Sequence, residues 1–248
     1  MPRHDFRTPR LYVDSPLGGG GQVALDRDQA HYLRNVLRCK GGDAVLLFNG
    51  REGEWQARLI DNGKRSLAAE IGARLREQPP PGDLHFLFAP LKHARLDYLV
   101  QKAVELGASR LQPVITHYTQ ANRVNLARMR ANVIEAAQQC GVLALPEVTA
   151  PMALADILEN LEHDRLLVFC DERAEVQDPV AALRDAGADR PLAVLIGPEG
   201  GFAEEERALL LKRTPVVRLA LGPRILRADT AAAAALALVQ ACLGDWRL

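Results

Sequence analysis

Three consecutive prolines, Pro79-Pro80-Pro81, followed by Gly82, constrain this chain more than any other feature. Each proline fixes φ and removes a backbone donor, so three in a row exclude a helix interior or a central strand. Residues 77–82 therefore read as a linker between a first domain, residues 1–76, and a second, residues 83–248. Charge changes across it. Up to Gly82 the chain carries 13 Lys and Arg against 10 Asp and Glu, net +3; the remainder carries 18 against 21, net −3. These cancel in the whole chain, 31 against 31, so total charge points to no polyanionic partner. A hydrophobic content of 48% excludes wholesale disorder and suffices for a large core.

No run reaches the roughly 18 apolar residues of a membrane span. The opening MPRHDFRTPR has no apolar segment of a secretory signal. A cytoplasmic location without a membrane partner is expected. Cys39, Cys140, Cys170 and Cys242 are far apart, and the six histidines show no metal-ligand spacing, so reduced thiols and no metal are expected.

Before the linker, Arg10–Val13, Gly21–Leu25, Ala44–Phe48, Glu54–Ile60 and Ser66–Ile71 read as short strands bounded by turn residues. One helix is expected from Asp28 to Arg38, with Leu33, Val36 and Leu37 as its apolar stripe. That content suggests a small, partly open β-barrel. The Gly18–Gly21 run reads as a flexible turn, since no helix follows it directly.

After the linker the pattern is α/β. Apolar strand runs at Leu84–Ala89, Leu111–Ile115, Leu166–Cys170, Leu192–Ile196 and Val216–Leu221 alternate with helical runs. Those runs are Leu96–Leu106, Leu126–Gln139, Ala153–Leu161, Pro179–Ala186, Glu204–Lys212 and Thr230–Leu243. Nearly continuous apolar strands separated by amphipathic helices imply a parallel sheet covered on both faces.

Two loops stand out. Gly197-Pro198-Glu199-Gly200-Gly201-Phe202 joins a strand to an acidic helix start, and its glycines let backbone approach a ligand. It fits neither the dinucleotide nor the P-loop spacing. Leu221-Gly222-Pro223-Arg224-Ile225-Leu226-Arg227 precedes the alanine-rich last helix, which Asp229 or Thr230 is placed to cap. Loops at the carboxyl ends of neighbouring parallel strands form opposite walls of a ligand crevice.

GPEGGF and LGPRILRADTA, with Lys102-Ala103-Val104-Glu105-Leu106-Gly107 and Ala136-Ala137-Gln138-Gln139-Cys140 upstream, resemble the RsmE family of 16S rRNA uridine-N3 methyltransferases, in the SPOUT superfamily. The likeness extends into Ala30–Arg38 and spans nearly the whole chain. It implies a PUA-like β-barrel followed by a trefoil-knotted α/β methyltransferase domain. It also implies a homodimer and S-adenosylmethionine as cofactor. The implied substrate is 16S rRNA within the small ribosomal subunit, methylated at N3 of a uridine in the decoding region. The implied cofactor residues are Gly197, Pro198, Glu199, Gly200, Gly201, Leu221, Gly222, Arg224, Ile225, Leu226 and Thr230. The chain departs from the family pattern at Val142 and His117, both on the side expected to meet RNA.

Uridine N3 must lose a proton before it attacks a sulfonium methyl, so a cation near O2 or O4 lowers the barrier. Arg227 is the catalytic candidate for that role, with a salt bridge to Asp229 or a plain surface arginine as its alternatives. Glu105 is the candidate base or substrate-orienting acid, unless Lys102 holds it in an ion pair. RNA contact is expected from His31, Arg34 and Arg38, spaced i, i+3 and i+7 on one helical face. Arg3, Arg7 and Arg10, interleaved with His4, Phe6 and Tyr12, suit phosphate contact with stacking. Lys92, Lys102 and Gln139 complete the RNA-contact set. Two other functions stay open: another SPOUT RNA methyltransferase, such as a ribose 2′-O enzyme on tRNA or rRNA, and a non-catalytic RNA-binding or assembly protein.

Overall fold

The structure is a computed structural model that describes residues 7–63, 66–92, 94–121, 123–174, 178–187, 190–213 and 215–247. It divides into two compact units, one ending at Pro81 but including Ala137–Leu145, the other comprising Gly82–Ala136 and Pro146–Leu248.

In the first unit β1 (Arg10–Tyr12), β2 (Gln22–Leu25), β3 (Ala44–Phe48), β4 (Glu54–Asp61) and β5 (Leu67–Arg76) form one sheet in the order β1-β3-β4-β5-β2. β1 and β3 run parallel and the other pairs antiparallel. Alternate residues face a core that includes Leu11, Val23, Leu33, Val45, Leu47 and Leu59. β5 runs five residues past the expected end at Ile71. Ile71 pairs with Ala57 and Arg74 with Trp55, so Gly72 sits at a bulge and does not end the strand.

The helix is shorter than its sequence pattern suggests. α1 (Arg27–His31) begins with a reciprocal cap, Asp26 accepting from the Gln29 amide at 2.8 Å and Gln29 from the Asp26 amide at 2.9 Å. It then widens into a π-helical turn, Tyr32–Val36. The wider turn rotates Val36 and Leu37 off the apolar stripe and into solvent, leaving Ala30 and Leu33 buried. Arg38 lies beyond the helix at φ 59, so His31, Arg34 and Arg38 do not share one helical face.

Arg10 belongs to the interior of this unit, contrary to its expected RNA role. Its Nε donates to Glu54 Oε1 at 2.6 Å, with side-chain exposures of 8% and 3%. Its Nη atoms donate to the carbonyls of Ala137, Gln138 and Val142, and the guanidinium lies 4.5 Å from the Phe48 ring centroid. Tyr12 N–H donates to Gln138 Oε1 at 2.9 Å, and Arg76 reaches the Gly141 carbonyl at 3.0 Å. These bonds explain why residues 137–145 count with the first unit. Val142 thus has a structural task, presenting its carbonyl to Arg10.

In the second unit a parallel sheet has the order β12-β10-β11-β6-β7-β8. Its strands are β6 (Leu84–Phe88), β7 (Arg110–Ile115), β8 (Glu147–Val148), β10 (Leu166–Cys170), β11 (Leu192–Ile196) and β12 (Val216–Leu219), and β9 (Met152–Ala153) also pairs with β7. The helices are α2 (Ala94–Glu105), α3 (Leu126–Cys140), α4 (Leu154–Asn160), α5 (Pro179–Asp185), α6 (Glu204–Lys212) and α7 (Ala228–Cys242). α2 and α5 pack on α7, whereas α4 packs on α6, and β11 between them is wholly buried. The two-residue β8 and β9 are too short for any periodicity to reveal. α7 starts before Thr230: Arg227 occupies the cap position with extended backbone and no side-chain cap, and Asp229 Oδ1 accepts from the Thr230 amide at 2.9 Å inside the first turn. Among the described residues, no helix is long and apolar enough to cross a membrane.

Two stability tests follow from these buried polar groups. Arg10→Ala should cost about 3 kcal/mol, the low end for breaking a buried pair, because Arg76 still reaches Glu54 at 3.4 Å. A urea midpoint unchanged from the parent would contradict this. Burial, with Arg165 and Arg110 nearby, pushes the His85 pKa down to about 4. The unfolded value is about 6.5, so between those values only the unfolded chain binds the proton and stability falls as pH falls. The margin of the parent over His85→Asn should therefore shrink by on the order of 1 kcal/mol per pH unit between pH 6.5 and 4.5. Parallel stability curves for the two proteins would refute it.

Candidate active site

The carboxyl ends of the parallel strands converge on one edge of the second unit, where a polar network forms the floor. Asp171 follows β10 directly and its side chain is fully buried. It is paired with Arg207 of α6, and Arg218 of β12 donates to it through Nε at 2.6 Å. The Arg173 amide also donates to it at 3.0 Å. Burial pushes the Asp171 carboxyl up, but the hydrogen bonds from Arg207, the Arg173 amide and Arg218 outweigh it and hold the group below its ordinary value. Arg207 also holds Glu172 at 3.1 Å, so α6, β12 and the loop after β10 are tied to one another.

On this floor lies the glycine-rich loop after β11. A side chain at Gly197 would meet the Phe202 ring at 2.6 Å, and that ring is buried edge-on against Phe169 at 5.1 Å. Gly201 takes φ 70, and its amide closes a turn to the Pro198 carbonyl at 2.9 Å. A side chain there would also run into Glu172. Gly200 stands 3.0 Å, measured from where its Cβ would be, from Tyr118. His117 donates its amide to Glu206 at 2.8 Å and its ring meets Tyr118 edge-on, so the segment at this departure is built into the wall.

Arg95, in the first turn of α2, joins the two loops singled out by the sequence. It donates to Glu199 of the glycine-rich loop at 2.6 Å and to Asp229 of α7 at 2.9 Å. The hydrogen bond that Arg95 donates holds the Asp229 carboxyl below its ordinary value, and the same bond raises the Arg95 guanidinium. Arg95 thereby links Glu199, in the loop of Gly197, Pro198, Gly200 and Gly201, to Asp229, which follows the stretch containing Leu221, Gly222, Arg224, Ile225 and Leu226 and precedes Thr230. In that stretch Leu221 and Leu226 are half-buried, whereas Gly222, Arg224, Ile225 and Thr230 are exposed. Arg227 is exposed beside them. The alternative of a salt bridge to Asp229 fails, because Asp229 is engaged by Arg95.

Glu105 is held in the ion pair that stood as its alternative. It lies ten residues beyond Arg95 on α2, about 15 Å at ~1.5 Å per residue, and Lys102 grips both its oxygens at 2.7 Å. Lys102, which also lies 5.5 Å from the Tyr98 ring centroid, is likewise engaged. Arg34 serves the first unit, donating to Asp61 at 2.6 Å and to the carbonyls of Gly63 and Ser66. Arg7, His31, Arg38, Lys92 and Gln139 are exposed. Arg3, with His4 and Phe6, lies outside the described residues. No group of three potential metal ligands forms among the described residues.

Arg95 and the Asp171 network escaped sequence reading. Asp171 was findable as the first polar residue after an apolar parallel strand, where ligand crevices form. Nothing local marks Arg95, whose partners are 104 and 134 residues away.

An RNA methyltransferase domain family matches residues 78–240. The chain belongs to this RNA methyltransferase family. A PUA domain found in RNA methyltransferases matches residues 25–72 of the same chain. This RNA methyltransferase is 31% identical to the ribosomal RNA small subunit methyltransferase E of Rickettsia conorii over 93% of its length and 94% of the relative's. It is 32% identical to the protein of that name from Synechocystis, over 89% of its length and 73% of the relative's. Its fold matches the Neisseria gonorrhoeae small subunit methyltransferase E bound to S-adenosylmethionine, with a TM-score of 0.82 and 29% identity over 97% and 100% of the two chains. A Legionella pneumophila chain with bound SAM matches at a TM-score of 0.81 and 28% identity, over 95% and 98% of the two chains.

The glycine positions of this RNA methyltransferase can be ranked. Gly197→Ala should destabilise the fold by about 1–3 kcal/mol, because Phe202 has no room to retreat in its buried contact. Gly222→Ala, at φ 88 with nothing within 4 Å of the added carbon, should cost only the backbone strain of about 1–2 kcal/mol. Urea denaturation measures both, and a neutral Gly197→Ala would mean that Phe202 is free to move.

Proposed function

We propose that this chain transfers the methyl group of S-adenosylmethionine to N3 of a uridine in the decoding region of 16S rRNA, acting in the cytoplasm on the small ribosomal subunit. The observation that carries the reading is the Arg95 bridge, which holds the two ligand-facing loops together in a chain of the RNA methyltransferase family. The names of the Rickettsia and Synechocystis relatives and the ligand of the Neisseria structure support the substrate and cofactor.

The residues present suit S-adenosylmethionine. Gly222 leaves open space where a side chain would stand, and half-buried Leu221 and Leu226 offer apolar surface to an adenine. Residues 197–201 and 221–226, with Thr230, would hold the cofactor largely through backbone groups. When bound, it supplies an electrophilic methyl on a sulfonium. The protein's part is mainly positioning, which can supply roughly 7–11 kcal/mol of such a barrier. Arg227 follows this loop directly and is exposed, its side chain having no hydrogen bond or ion pair among the described residues. It is free to stabilise the negative charge that grows on O2 or O4 as N3 loses its proton. We assign no general base, since Glu105 is held by Lys102 far from these loops.

The trefoil threading and homodimer belong to the same reading. β12 lies beyond β10 while α7 returns to β11, the path that a threaded chain end requires. The PUA-type unit would carry RNA contacts, with Arg7, His31 and Arg38 exposed on it, while Lys92 and Gln139 lie outside that sheet.

Unmethylated small ribosomal subunits incubated with the chain and isotopically labelled S-adenosylmethionine, then digested to nucleosides, should yield labelled 3-methyluridine by mass spectrometry. A 2′-O-methylated nucleoside, or no label, would overturn the proposal. Arg227→Ala should lower the single-turnover rate roughly 100- to 1000-fold, the effect of losing one charge-stabilising donor. Its cofactor affinity should change only a few fold. Arg227→Lys should rescue little, because an ammonium cannot reproduce the planar fork. Parallel losses of binding and rate in Arg227→Ala would rule out the catalytic role.

A further inference from the structure

A cavity opens on the same carboxyl edge, formed by the segments that follow β6 and β7. It encloses about 550 Å³, within the range of sites that hold small molecules. Its apolar surface comes from Leu91 and Met129, both buried, and from half-buried Leu96. Exposed Lys92 and Arg123 stand at its wall, and among the described residues neither side chain has a hydrogen-bond or ion-pair partner. Arg128, a third cation, is paired with Asp97 at 2.5 Å and 2.9 Å, and Asn132 also donates to Asp97 at 2.7 Å. Asp97, the acid that lines the cavity among the described residues, is therefore occupied, and among those residues the side chains of Lys92 and Arg123 have no acidic partner. Asn125 uses its side-chain oxygen to cap α3 by accepting from the Arg128 amide at 3.0 Å, which leaves its NH₂ group for a ligand.

An apolar slot with two uncompensated cations and amide donors is the chemistry of a nucleotide: a base against Leu91, Leu96 and Met129, and a phosphate between Lys92 and Arg123. Its place decides which nucleotide. Leu96 and Asp97 line this cavity, while Arg95, one residue earlier on α2, fastens Glu199 and Asp229. The first turn of α2 is thus a wall shared with the cofactor loops. We infer that this cavity receives a nucleotide next to the methylated one in the same RNA strand, and so fixes which base reaches the methyl donor. The identity of the strand rests on the methyl-transfer reading above; the pocket's affinity for an RNA nucleotide does not.

The test uses the full chain and a fluorescein-labelled single-stranded RNA heptamer, read by anisotropy without S-adenosylmethionine. Lys92→Glu and Arg123→Glu should each weaken binding by ~10-fold and lower the salt slope by about one. Ala121→Phe, which fills the cavity without altering charge, should weaken binding by a similar factor. Cofactor affinity within about twofold of the parent, at ~0.4 kcal/mol, would show that each variant is folded. Uridine 5′-monophosphate should compete only at far higher concentration than unlabelled heptamer. Heptamer binding unchanged in Ala121→Phe would overturn the pocket and leave only an electrostatic surface. Competition by uridine monophosphate as strong as by heptamer would overturn it in favour of a free-nucleotide site, and no heptamer binding by the parent would also overturn it. If the variants weaken heptamer binding while the parent methylates no rRNA, the pocket stands and the methyl-transfer reading falls.

Discussion

Arg95 ties together the two loops on which the proposed cofactor site rests. One loop follows β11 and the other leads into α7, and among the described residues no direct ion pair joins them. The guanidinium donates to Glu199 at 2.6 Å and to Asp229 at 2.9 Å from the start of a third element, α2. The two contacts differ in weight. Glu199 is half exposed, so its share is limited to ~1 kcal/mol or less by solvent screening. Asp229, with a side chain only 16% exposed, meets Arg95 through two oxygens and carries more of the coupling. Its carboxyl is held below its ordinary value, so the clamp persists at neutral pH and is lost only as pH falls through that depressed value.

The clamp works because the floor beneath it is stiff. A buried carboxylate is costly unless its oxygens are satisfied. Asp171 meets that condition through Arg207, Arg218 and the Arg173 amide. The same bonds fix the loop after β10 against α6 and β12. Glu172 then stands where any side chain on Gly201 would go, and Phe202 where one on Gly197 would go. The glycines of this loop are thus required by neighbouring protein atoms, before any ligand is considered.

Much of this was legible in the residues. β3, β10, β11 and α6 match the expected runs end for end, because apolar strands bounded by turn residues admit little slippage. Gly-rich and Gly-Pro-Arg segments at strand ends pointed to the edge where the loops meet. One departure comes from helix geometry: spacing along a helix says where a side chain points only if the helix keeps its ordinary period. The π-helical turn at Tyr32–Val36 broke that assumption for Val36, Leu37 and Arg38. Burial misled as well. Arg10 and Arg34 look like surface cations in sequence, yet Glu54 and Asp61, 44 and 27 residues away, claim them. Glu105 was drawn into the site by its motif, whereas Lys102, three residues earlier, accounts for it.

The central claim is that cofactor binding depends on Arg95 acting on both loops at once. Calorimetric affinities for S-adenosylmethionine across a double-mutant cycle of Arg95→Met and Asp229→Asn test it directly. Arg95→Met should weaken binding by ~10-fold or more, about 1.4 kcal/mol, and adding Asp229→Asn should cost little further, because the second change removes the partner of a group already gone. Equal and additive losses, or an Arg95→Met protein that binds S-adenosylmethionine as tightly as the parent, would contradict the account.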